Sequence, residues 1–167
     1  PLGAGTRGEF IGLVQAILQD SEDTGAVGPS RQWGLEAMAI RQGELLLEQA
    51  VLDSKQSDKR EDVAAKLGAA MEQFEKAEKI AQDVYNQQPA DLGKAAANVA
   101  IAMSYRAKVA SELKRPLAEI APLYKRAIEL RREALTADSG RDNAAERKAE
   151  LGVQLFGYAD WLLNQEG

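Results

Sequence analysis

Apolar residues recur along this chain at steps of three and four, and short polar breaks divide the pattern into five helical segments. From Trp33 through Ala37, Ile40, Leu45, Leu47 and Val51 the period predicts a helix over 33–52, and the stretch 53–58 that follows holds no apolar residue. A second helix is expected over 59–87. It closes before Pro89, because a residue preceding proline is pushed out of the helical region. Asp91 can cap a third helix that runs to about Lys114. Pro116 opens a fourth, in the first turn where proline is tolerated, and Pro122 one turn further in is accommodated with a slight bend. The turn Asp138-Ser139-Gly140 ends that helix, and a fifth covers 143–164. Connections of a few residues force successive helices to lie antiparallel beside one another.

Composition sharpens the class. The chain has 29 alanines against 8 valines, 7 isoleucines and 3 threonines, which favours helix over strand because alanine gives up no side-chain entropy on helix formation. An all-α fold follows, built from antiparallel helical hairpins stacked into an α-solenoid, with a five-helix up-and-down bundle as the alternative. At 167 residues the chain suits one domain. Cysteine and histidine are both absent, which removes disulfides, thiolate nucleophiles, imidazole bases and the usual zinc sites together. Carboxylate pairs sit at the helical spacings of solvated faces, and Gly3, Gly5 and Gly8 do not form a phosphate-cradling loop. The chain is therefore read as a non-enzyme with no catalytic residue, metal or cofactor.

Net charge is −5 but unevenly spread, since residues 106–132 carry eight basic and three acidic side chains. Those cations mostly stand a helical turn from glutamates, which reads as a solvated surface. With no interleaved aromatics beyond Tyr105 and Tyr124, in an acidic chain, they argue against nucleic acid. No apolar run approaches the ~20 residues of a membrane span, so no membrane insertion is expected and a cytoplasmic home is the default. Residues 1–10 read as a tag or cloning remnant. Residues 11–28 read as a lead-in helix, apolar at Ile11, Val14, Ile17 and Leu18, with an acidic loop, and 29–167 as the helical domain proper.

The run Ile120-Ala121-Pro122-Leu123-Tyr124-Lys125-Arg126-Ala127-Ile128-Glu129-Leu130-Arg131 resembles the second helix of a tetratricopeptide repeat of the kinesin-light-chain kind. A weaker version stands about 50 residues earlier as Phe74-Glu75-Lys76-Ala77-Glu78-Lys79-Ile80. Val99-Ala100 with Met103, and Leu151-Gly152 with Leu155 and Tyr158, occupy the places where such repeats put a large-small pair and an aromatic. The 50-residue spacing exceeds the common repeat of about 34, so the helices must be unusually long.

The resemblance implies a protein-interaction scaffold that binds a peptide or helix of a partner protein in a groove lined by the first helix of each hairpin. Carried over through Val99, the groove positions are Lys94, Ala97, Asn98, Ile101, Ser104 and Tyr105, and the partner-binding candidates are Lys94, Asn98, Ile101, Tyr105 and Arg106. Asn98 stands where some members clamp a terminal carboxylate, but Glu146 and Glu150 at the equivalent place in the fifth helix would repel one. A last repeat normally carries a polar outer face, whereas this chain finishes Trp161-Leu162-Leu163. Phe156, Trp161 and Leu162 are accordingly expected to form an exposed apolar end, where further repeats follow or two chains meet as a homodimer. The alternative function is the regulatory or ligand-sensing part of a larger signalling protein.

Overall fold

The computed structural model describes residues 29–55, 60–87 and 89–164. Five α-helices make up this part, and no strand occurs among the described residues: α1 (Pro29–Asp53), α2 (Arg60–Asn86), α3 (Leu92–Glu112), α4 (Leu117–Ala137) and α5 (Ala144–Leu163). The expected helices are all present, α1 starting four residues earlier than its apolar period indicated. The expectations for 1–10 and for the lead-in segment lie outside the described residues.

Local chemistry sets the helix ends. The Asp91 carboxylate accepts the Lys94 backbone N–H at 3.2 Å, as its position predicted. Pro122 sits inside α4. It and Ala118, whose carbonyl loses its partner, both face solvent, where water can replace the bond. At the end of α3 the Lys114 N–H bonds the Ser111 carbonyl and the Arg115 N–H bonds the Ala110 carbonyl, each at 2.9 Å. These are the two bonds of a Schellman motif, with Lys114 at the left-handed position, φ 54°. A side chain is strained there, so Lys114→Gly is expected to raise stability by about 0.5–1 kcal/mol in urea unfolding. An unchanged or lower midpoint would contradict that reading.

Each helix packs on its neighbours in sequence. Side-chain contacts then show which helices run side by side. Asn98 and Tyr105 of α3 reach Glu36 and Glu44 of α1, and Ser104 and Ser111 of α3 meet Gln154 and Trp161 of α5. Numbers rise together in both sets, so α1, α3 and α5 are parallel and share one layer. Tyr85 of α2 donates to Glu133 of α4 at 2.6 Å in the other layer. Both α3–α5 contacts span 50 residues, the spacing read between the sequence repeats.

Alanine makes the layers fit. Central α3 buries Ala95, Ala96, Ala97, Ala100, Ala102, Ala107 and Ala110, leaving room for neighbours on several sides. Large residues fill the gaps between hairpins at matching places: Phe74 stacks on Tyr105 at 4.7 Å, and fifty residues on Tyr124 stacks on Tyr158 at 5.3 Å. Gly43 of α1 admits the Phe74 ring, because a Cβ there would stand 2.7 Å from it. Three of the eight cations of the basic segment are paired within the fold, Arg106 with Glu75 and Glu78, Arg126 with Glu129 and Arg131 with Glu150.

Candidate functional site

Because α1, α3 and α5 share a layer, their outward faces enclose a groove. Its main cleft holds about 600 Å³ and is lined by Trp33, Glu36, Ile40, Lys94, Asn98, Ile101, Ser104, Tyr105 and Gln154, among others. Arg41, Glu44 and Tyr105 continue it into a second cleft of about 520 Å³ that ends at Val51, Leu52 and Lys108. Ser104, Tyr105 and Gln154 open it sideways toward Tyr124 and Gly157. From Trp33 to Val51 the rise of α1 gives a length of about 25 Å.

Four of the five partner-binding candidates lie together here: Lys94, Asn98, Ile101 and Tyr105 line the groove. Arg106 does not. One residue on, the helix turns by about 100°, which brings its guanidinium against α2, where it holds Glu78 at 2.7 Å and Glu75 at 3.2 Å. Tyr105 has a double role, since its ring stacks in the core on Phe74 while its hydroxyl donates to Glu44 at the groove wall. Burial, the largest cause, and the Glu44 carboxylate both push that hydroxyl up, so it stays a donor.

No protein-family model, curated protein or solved structure matches the chain. The site is therefore characterised by its own geometry.

The groove floor is polar in a specific way. Glu36 is 4% exposed and receives the Asn98 amide at 3.1 Å. Burial pushes its carboxyl up to about 7, against the opposing pull of Lys94 and Asn98. The Lys94 ammonium in turn lies over the Trp33 ring, 5.4 Å from its centre. Asn98 is thus already engaged, and the carboxylate that would oppose a clamped terminus is Glu36. Glu150 is held by Arg131 and Arg147 at 2.8 and 2.9 Å.

Glu36 went unnoticed in the sequence, although a signal was present. It follows Trp33 by three residues and precedes Ile40 by four, so it falls on the apolar stripe of α1.

The expected exposed end differs from the structure. Trp161 is only 6% exposed, packed against Tyr124 and Tyr158, with its indole N–H donating to Ser111 at 3.1 Å. It closes the core between α3, α4 and α5 and is no surface anchor. Phe156 and Leu162 are exposed, at 74% and 38%. Gly152 faces outward, and no helix of the described chain crosses it closely. No described helix is long and apolar enough to cross a membrane.

Proposed function

We propose that this chain is a non-catalytic protein-interaction module of the tetratricopeptide kind, whose groove receives a peptide or helix of a partner protein. The observation that carries this reading is the joining of Lys94, Asn98, Ile101 and Tyr105 with Trp33 and Ile40 along one open cleft. A length of about 25 Å suits a helix of about 17 residues or an extended segment of about seven. Ile40 and Ile101 offer apolar contact, while Lys94 and exposed Arg41 offer cations at the rim. An amphipathic segment with an acidic edge fits that distribution, gaining affinity from apolar burial around a few polar anchors. The alternative, a ligand-sensing domain of a larger signalling protein, calls for an enclosed pocket, whereas this cleft stays open along its length.

A displayed random-peptide library panned on the chain tests the proposal. Selected peptides are expected to perturb Trp33 fluorescence in a Trp161→Phe background. They should lose at least tenfold in affinity to a variant carrying Ala37→Arg and Lys94→Glu, two exposed groove positions, and keep their affinity to Arg106→Ala. Equal binding to all three chains would remove the groove from consideration.

A further inference from the structure

The groove floor holds one carboxyl group that the fold leaves half used. Glu36 is 4% exposed and lines the main cleft. Its Oε2 accepts the Asn98 amide, while Oε1 has no partner among the described residues and is not sealed inside the core. A buried carboxylate ordinarily finds a cation, because the water it loses is expensive to replace. Glu36 forms no ion pair with a described residue. Of the charged groups lining the cleft, Lys94 of α3 is the one that pulls on it, yet that ammonium lies over the Trp33 ring. Arg41 and Glu44 of α1 pair with each other, and Arg131 of α4 is held by Glu150 of α5. Helix α2 adds no charged group to the lining. Burial outweighs Lys94 and Asn98, in keeping with a carboxyl pushed up to about 7. Once protonated, the unpartnered side of Glu36 carries a donor with no acceptor.

We propose that an acidic side chain of the bound segment supplies this acceptor, its carboxylate taking the hydrogen bond of protonated Glu36 and lying beside the Lys94 ammonium. The inference rests on the groove reading and names the residue type that the groove selects. Two carboxyl groups sharing one proton carry a single negative charge, which Lys94 balances, whereas two ionised ones repel. An aspartate or glutamate of the segment has released its own proton well below pH ~6, so the shared proton is the one on Glu36. Below pH ~7 Glu36 already holds it. Above that, binding must draw it from solvent, and affinity falls as pH rises. The chain has no histidine, so no side chain of ordinary pKa changes charge between pH ~5 and ~8 to obscure this.

Random histidine-free peptides, displayed with their C-termini fused so that no terminal carboxylate is free, are panned on the chain at pH ~6. Selected peptides, made with blocked ends and a pH-insensitive dye, are titrated by fluorescence anisotropy from pH ~6 to ~8.5, with melting curves to confirm folding. Each is expected to carry an Asp or Glu whose amide replacement costs at least tenfold in affinity at pH ~6. Wild-type affinity should fall at least tenfold across the range. Glu36→Gln, whose amide donates at every pH, should stay within about twofold of one value. Peptides that lose affinity to the chain carrying Ala37→Arg and Lys94→Glu, yet show the same pH slope on wild type and on Glu36→Gln, overturn this inference and leave the groove standing. A slope that survives replacement of every acidic residue in the peptide does the same. A library without binders, or binders indifferent to that groove variant, removes the groove and this inference together.

Discussion

Replacing Asp138 by alanine is expected to lower stability by about 3–5 kcal/mol, a large part of the margin of a domain this size. Asp138 is 0% exposed at the junction of three helices. Its carboxylate accepts Arg147 Nε and Asn143 Nδ2, each at 2.8 Å, and Arg141 at 3.2 Å. It also lies against Gly93 at the start of α3, where a Cβ would come within 2.5 Å of it and where the helix dipole favours an anion. Without it, buried Arg131 and largely buried Arg147 are left to share Glu150. The melting temperature should fall by about 10 °C, and a fall of under ~3 °C would show that the cluster is replaceable.

The same cluster carries a pH signature. The hydrogen bond from Arg147, the largest cause, holds the Asp138 carboxyl below the usual aspartate range. A depressed folded-state value stabilises the protein above pH ~4, the unfolded aspartate range, and that contribution is lost as pH falls through the folded value. Acid unfolding of the wild type should thus be steeper below pH ~4 than that of Asp138→Asn.

Glu36→Gln is expected to act in the opposite sense. Its folded value of about 7 stands above the ordinary 4.5, so the folded chain holds a proton that the unfolded chain has released. Stability contributed by this group is complete below the ordinary value and declines as pH rises toward 7, by up to about 3 kcal/mol. Glutamine keeps the shape and can still accept the Asn98 amide at 3.1 Å without holding a buried charge. The variant should therefore match wild type near pH 4.5 and exceed it by about 2 kcal/mol at pH 8, read from urea midpoints at the two pH values. Equal midpoints at pH 8 would mean that Glu36 ionises freely. Because Glu36 lies beside Lys94 on the groove floor, its ionisation also changes the charge offered to a bound segment between pH 5 and 8.

The apolar period of three and four, the prolines 89 and 116 and the Asp91 cap reproduced five helices to within four residues. Such signals are local: one turn of helix samples its own neighbours, and alanine, proline and capping carboxylates act within four residues. The 50-residue recurrence was legible for the same reason, since Phe74 and Tyr124 each sit in a similar run and both stack on an aromatic of the following helix.

Groups whose role depends on a distant partner were not legible. Asp138 read as a turn residue because its burial depends on Arg147 of the next helix, beside Arg141 and Asn143 of the turn, and on a packing surface from Gly93, 45 positions earlier. Arg106 read as a groove residue because it stands next to Tyr105, yet one residue is about 100° of helix. Trp161 read as exposed because its neighbours Leu162 and Leu163 are, yet Tyr124, Tyr158 and Ser111 enclose it.

What the chain's own order of residues determined is the helices, their number and their antiparallel succession, since backbone hydrogen bonding and side-chain entropy are settled within a turn or two. Only the tertiary structure decided which faces meet: that Asn98 finds Glu36 across 62 residues, and that a glutamate on the apolar stripe of α1 forms a groove floor. Contacts of that kind follow from how alanine-rich helices settle against one another, and a shift of one residue in that packing exchanges a buried face for an exposed one.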